Sequence, residues 1–241
     1  DLKENDGDPS LPDDNANGVL EPGLLEYVTI WSREKNTRED GSDRIDITDN
    51  DSSQSLQQLL NEELDASKAS QVMARVSSSL STMTSPLQFY LASGLSAEDF
   101  ATIEDAISVS SESTIPGLVN VNHASAEVLA CLPGLDSGLA DKLVAYRADK
   151  TEDDLVSIAW VTEVLENEQA IEAGPYLTAH TYQYRADIAA VSNHGRGLRR
   201  VMMVLDTSGD ETKVVYRRDM NRMGWPLGVT IRDQLEATEE E

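Results

Sequence analysis

Pro133-Gly134 falls between two stretches of helical periodicity, and that interruption limits what the middle of the chain can fold into. Before it, Val128, Leu129 and Leu132 are spaced i, i+1 and i+4. After it, Leu139, Leu143 and Tyr146 are spaced i, i+4 and i+7, so each stretch offers one apolar stripe. Proline cannot continue the helical hydrogen-bond ladder, and glycine supplies the positive φ of a tight helix end. The spacing therefore predicts a helix-hairpin-helix from Val119-Asn120-Val121-Asn122 to Arg147. Hairpins of this kind either grip DNA phosphates or serve as packing units.

Charge bears on that choice. Asp and Glu number 44 against 19 Lys and Arg, a net charge of −25, which repels nucleic acid and anionic lipid and favours basic partners or cations. DNA-binding hairpins usually present Pro-Gly-apolar-Gly, whose exposed N–H groups hold a phosphate. Here the second Gly position is Asp136, a carboxylate that competes for the same N–H groups. Nearby, Lys142, Arg147 and Lys150 are outnumbered by Glu127, Asp136, Asp141 and Asp149, so the hairpin lacks a basic footprint. Packing or protein contact is favoured over nucleic acid.

A weaker copy of the pattern comes first. Ile45-Asp46-Ile47-Thr48 parallels Val119-Asn120-Val121-Asn122; Leu56, Leu59, Leu60 and Leu64 form one stripe, and Ala69, Val72, Met73 and Val76 another, ending near Arg75. From the first residue of each motif to its Arg is 30 residues in this copy and 28 in the later one. The chain thus reads as a degenerate internal repeat near 45–76 and 119–147, with Glu62-Glu63-Leu64-Asp65-Ala66 in place of Pro-Gly. Between the copies, Ser77 to Ser85 forms a polar joint closed by Pro86, and Leu87, Phe89, Tyr90 and Leu91 add an apolar patch. Ser96 with Asp99 resembles a capping box, and Phe100, Ile103 and Ile107 continue that helical face. Leu155, Ile158, Val161, Val164 and Leu165 predict one or two short helices before Gly174-Pro175, with Trp160 in the core. The single cysteine, Cys131, beside Leu132, is expected to be a small core residue.

The flanks differ. Residues 1–23 are acidic and rich in turn formers. Asp13, Asn15 and Asn17, with Gly18, match the first half of a calcium loop, in which alternate oxygens converge on a hard cation. Leu24 stands where a bidentate Glu belongs, which excludes an EF-hand and leaves a looser calcium loop or a solvated acidic loop. Leu24, Leu25, Tyr27, Val28 and Trp31 form a short apolar cluster, followed by a polar linker. After Gly174-Pro175 the period changes to two: Tyr182, Tyr184, Ala186, Ile188 and Ala190 alternate with Gln183, Arg185, Asp187 and Ala189, as in a strand with one buried face. Strands at Leu198–Leu205 and Lys213–Arg218 follow, and Trp225-Pro226 closes the meander. The expected organisation is α+β: an acidic segment over 1–23, a helical domain over 24–180, an antiparallel β meander over 181–226 and an acidic tail over 227–241.

Little in the chain points to catalysis. His123, His180 and His194 stand apart from one another and from any Cys at zinc spacing. Nucleophile elbow, His-Glu-x-x-His and phosphate-loop motifs are missing, and Gly195-Arg196-Gly197 reads as a hairpin turn, so an enzyme is not expected. No apolar run reaches the roughly 20 residues that span a bilayer. Without an initiating Met the sequence reads as a fragment of a longer chain.

Three stretches together carry a resemblance. Val119-Asn120-Val121-Asn122-His123-Ala124-Ser125-Ala126-Glu127-Val128-Leu129 with Leu132-Pro133-Gly134, then Pro175-Tyr176-Leu177-Thr178-Ala179-His180-Thr181-Tyr182-Gln183-Tyr184, then Val214-Val215-Tyr216-Arg217-Arg218-Asp219, resemble the general secretion pathway protein K family, minor pseudopilins of type II secretion. The resemblance implies a pilin-like domain carrying a large inserted helical domain, and an N-terminal helix anchoring it at the periplasmic face of the inner membrane. It also implies assembly with the I and J minor pseudopilins at the pseudopilus tip in protein export and, in some members, bound calcium. His123 stands where the family usually has Thr, and the Asp-rich opening is atypical, so calcium is assigned only to Asp13, Asn15 and Asn17 on their own chemistry. Independently of the resemblance, strands after helices and an open meander edge favour a structural assembly protein. The alternatives are a helix-hairpin-helix DNA-binding or DNA-uptake receptor and, third, a secreted hydrolase.

Overall fold

Each of two helical runs returns its end to its beginning and is closed there by a pair of two-residue strands. The computed structural model describes residues 27–192, 197–209 and 211–223. The first run goes from β2 (Ile45–Asp46) through α1 (Ser53–Glu63), α2 (Ala66–Val76), α3 (Pro86–Ser93) and α4 (Ala97–Glu104) to β3 (Ile107–Ser108). β1 (Arg33–Lys35) precedes it and pairs antiparallel with β4 (Thr114–Pro116), which follows it. The second run goes from β5 (Val119–Asn120) through α5 (Ala126–Leu129), α6 (Ser137–Ala148), two 3-10 segments (Glu152–Leu155 and Ile158–Glu163) and α7 (Asn167–Ala173) to β6 (Leu177–Thr178). β2 pairs parallel with β3, and β5 pairs parallel with β6.

Local chemistry sets the helix ends. Asp65 starts α2 by accepting hydrogen bonds from the N–H groups of Ser67 and Lys68. Ser85 does the same for Gln88 at the start of α3, where Pro86 takes the first helical position, which needs no donor. Gly94, at φ 69°, ends α3 in the left-handed conformation. Leu56, Leu60, Leu87, Phe89, Phe100 and Ile103 from the first run and Val121, Leu129, Leu143 and Val161 from the second are almost wholly buried and belong to one core.

The two runs repeat one another beyond their hairpins. Ile47 N–H donates to Ser108 O at 2.9 Å, and Val121 N–H donates to Thr178 O at 3.0 Å. Asp46 Oδ1 accepts from Thr48 N–H at 2.9 Å, as Asn120 Oδ1 accepts from Asn122 N–H at 2.8 Å. Ser108 Oγ accepts from Ser110 N–H, as Thr178 Oγ1 accepts from His180 N–H. Packing is reciprocal: α3 lies on α7, and α4 lies on Ile158–Glu163.

Several expectations are corrected. Among the described residues up to 180, six short strands stand among the helices, and Ile107 sits in β3 rather than on the face of α4. The first arm of the second hairpin has only four α-helical residues. Beyond it the N–H groups of Cys131, Leu132 and Leu135 bond three residues back. A three-residue period puts Leu129, Leu132 and Leu135 on one face and turns Cys131 outward, so Cys131 is exposed rather than a core residue.

β7 (Gln183–Val191), β8 (Leu198–Asp206) and β9 (Lys213–Asp219) form an antiparallel sheet in that order. One face meets the body at its end: Trp31 packs on Tyr216, and Arg33 pairs with Asp206 at 2.5 Å. Burial works against the Asp206 charge, but hydrogen bonds from Ser208, Arg33 and Gln183 hold its carboxyl well below the usual range. The face expected to be buried is open instead: Tyr184 and Ile188 are each 49% exposed. A three-stranded sheet has two faces, and the body covers part of one. Phe100→Ala is expected to destabilise the fold by about 3–5 kcal/mol in urea unfolding, because it empties a fully buried site that packs on Tyr90.

Candidate functional site

The hairpin turn at Pro133-Gly134 is occupied by the chain itself. Gly134 has φ 74°, and a Cβ added there would lie 2.8 Å from Glu172 Cβ and 3.0 Å from Glu172 Oε2, so α7 is set directly against the turn. Asp136 caps α6, and its Oδ1 accepts from Leu139 N–H at 2.8 Å. A donor that would meet a phosphate is therefore satisfied internally, and two carboxylates stand beside the turn.

Arg147, the cation at the end of the hairpin, is also used internally. Its guanidinium donates to Val121 O and, at 2.5 Å, to Ala124 O, which clamps the backbone that follows β5. Burial pulls its pKa down from the ordinary guanidinium value. In the first run Arg75 satisfies Ser93 O at the end of α3, and a Cβ on Gly94 would collide with it. Lys150 lies 4.6 Å over the Tyr146 ring, which itself stacks on Trp160.

The two asparagines of Val119-Asn120-Val121-Asn122 explain the motif. Asn122 accepts from Trp160 Nε1 at 2.9 Å and donates to Leu155 O at 2.8 Å. Asn120 donates to Thr181 Oγ1 at 2.6 Å and Ala179 O at 3.2 Å. These side chains tie β5 to the segments before and after α7, a role that needs both donor and acceptor on one short side chain.

Glu34 on β1 links the two runs. Its Oε1 accepts from Arg44 at 2.6 Å and its Oε2 from Thr178 Oγ1 at 2.9 Å; Arg44 also meets Asp105 at 3.0 Å. Burial lowers the pKa of Arg44, but the two carboxylates outweigh it and hold the guanidinium above its ordinary value. No sequence signal singled out Glu34, since one glutamate in a charged linker looks like any other.

Asp13, Asn15, Asn17 and Gly18 lie outside the described residues, as does His194. His123 is exposed and His180 lies beside Tyr182. Among the described residues no group of three or more His, Cys, Asp or Glu side chains is placed to hold a metal ion. No described helix is long and apolar enough to cross a membrane.

Two cavities stand out. A cleft of about 80 Å³ lies where the runs meet, its largely apolar wall including Ile107, Ile158 and Leu177 and its polar groups including Glu34, Arg44 and Glu104. An open depression of about 540 Å³ lies on the free face of the sheet, floored by Ile188, Ala190 and Val201 and rimmed by Arg199, Arg217 and Asp219. Basic side chains gather on this sheet: Arg185, Arg199, Arg200, Lys213, Arg217 and Arg218 against Asp187, Asp206 and Asp219. Their clustering was visible in the sequence but was masked by the net charge of the whole chain.

Residues 117–158 match the family model of the helix-hairpin-helix motif. The match spans β5, the hairpin and the following 3-10 segment, so this part of the chain is a helix-hairpin-helix. No curated protein and no solved structure matches the chain. Asn122→Ala is expected to cost about 1–3 kcal/mol of stability, because it strands the Trp160 N–H and the Leu155 carbonyl in a part-buried site; thermal melting checks this.

Proposed function

We propose that this chain is a non-enzymatic structural subunit of a type II secretion pseudopilus, a minor pseudopilin at the tip, working in protein export. The observation that carries this is the free face of the β7–β9 sheet. Tyr184, Ile188, Val201 and Met203 share that face by register, and Tyr184 and Ile188 are half exposed. Lone surface apolar residues need no explanation, but adjacent ones on one flat face mark a contact surface. In this account the face receives another pilin-like subunit of the I or J type, and the helical body forms the outward part. An anchor upstream holds the chain at the periplasmic face of the inner membrane, and calcium binds at Asp13, Asn15 and Asn17.

The helix-hairpin-helix match favours a second function, DNA binding or DNA uptake. Against it stand the Asp136 cap, Glu172 at the turn and the internal use of Arg147.

Three measurements decide among these. Co-purification with I-type and J-type minor pseudopilins is expected to yield a complex that Ile188→Asp weakens at least about tenfold, with the melting temperature unchanged because the site is on the surface. Equal binding by the variant contradicts the sheet-face contact. Duplex DNA at physiological salt is expected to show no mobility shift, whereas a submicromolar shift supports the second function. Calcium titration is expected to release or absorb heat in the intact chain and to lose that signal when Asp13 is replaced by Ala.

A further inference from the structure

On the free face of the sheet apolar and basic side chains lie together in a chain that is otherwise acidic, and the described residues end beside them. Ile188, Ala190 and Val201 floor the depression of about 540 Å³. Arg199 and Arg217 stand on its rim, both exposed and neither in an ion pair among the described residues. After β9 the chain is stitched to this place. Met220 N–H donates to Arg200 O at 2.8 Å, and Asn221 Oδ1 accepts from Arg200 N–H at 2.7 Å. Asn221 also donates to both carboxylate oxygens of Asp219, from its N–H at 2.9 Å and from Nδ2 at 3.0 Å. These bonds hold the 3-10 turn Asn221–Met223 against β8, with Asn221 lining the depression. The Asp219 carboxylate is thereby committed to Asn221 and pairs with neither arginine.

Residues 224–241 lie outside the described residues, and their sequence complements that surface. Trp225, Leu227, Val229 and Ile231 stand at every second position, the spacing that puts four apolar side chains on one side of an extended segment. The acids follow: Asp233, Glu236, Glu239, Glu240 and Glu241 against Arg232 alone. An apolar part and then an acidic part thus face an apolar floor and a basic rim. Reach is sufficient, since at about 3.3 Å per residue 224–233 span as far as the nine-residue strand β7. Because the segment starts at the depression, its effective concentration there is on the order of millimolar, a level that a separate partner has to outcompete.

We propose that residues 224–241 dock on the free face of their own sheet, with Trp225 to Ile231 over Ile188, Ala190 and Val201 and the following acids against Arg199 and Arg217. Ile188 and Val201 also belong to the surface assigned above to a partner subunit. The docked segment is therefore an intramolecular competitor that the partner displaces, a consequence that, unlike the docking, rests on the pseudopilin reading.

The test is a nitroxide spin label at Glu236→Cys in the full chain carrying Cys131→Ser, a change at an exposed site that keeps a donor for Glu127 O. The methyl resonances of Ile188, Ala190 and Val201 are expected to lose most of their intensity, while those of Leu56 and Leu143 in the helical core keep theirs. Arg199→Glu together with Arg217→Glu is expected to restore the three sheet resonances. Unbroadened sheet methyls in the labelled chain, or broadening that the charge reversal leaves unchanged, would overturn the docking. A mixture of spin-labelled chain with isotope-enriched, unlabelled chain separates the occupants: broadening in the enriched copy assigns the face to a second copy and refutes the docking, and its absence supports it. The two readings fail separately. Broadening without capture of I-type or J-type subunits leaves the docking standing and removes the pseudopilin reading, and capture without broadening does the reverse.

Discussion

Two backbone hydrogen bonds, Ile47 N–H to Ser108 O and Val121 N–H to Thr178 O, close the two helical runs, and the rest of the body is built around them. A strand of two residues has too few ladder bonds to persist alone. It persists here because the following side chain, Ile47 or Val121, is buried, and because an Asx turn at Asp46 or Asn120 holds the chain as it leaves the strand. The helices between strand and return are thereby forced into loops of fixed span, and their apolar faces meet in one core. Glu34 then joins the two closures by bonding to Arg44 beside the first and to Thr178 within the second.

This arrangement bears on what the hairpin can do. A helix-hairpin-helix binds phosphate through free turn donors and nearby free cations. Here the turn is capped by Asp136 and covered by α7, and Arg147 is committed to the carbonyls of Val121 and Ala124. The motif that names the hairpin is spent on holding the second run together. The free face of the sheet combines apolar side chains with arginines in a chain that is otherwise acidic, the composition suited to a protein partner.

Much of the body was legible from periodicity. The stripes of Leu56, Leu59 and Leu60 and of Ala69, Val72 and Val76 are buried as spaced. Strand pairs of two residues leave no periodic signal, so Ile107 continues the helical spacing of Phe100 and Ile103 in the sequence yet sits in a strand. Cys131 was misplaced because one turn changes from a period of 3.6 to 3.0, which a sequence window does not register. The alternation in Tyr182 to Ala190 found the strand but not its surroundings, since period two says that the faces differ and not that one is covered. Glu34 was invisible because partners from distant segments, Arg44 and Thr178, give it its role.

Native-state amide hydrogen exchange tests the central claim, that two like closures hold the body. The amides of Ile47 and Val121 are predicted to exchange only through global unfolding, with matching protection that duplex DNA leaves unchanged. Exchange of either amide at the rate of an exposed loop, or added protection of Val121 by DNA, would contradict it.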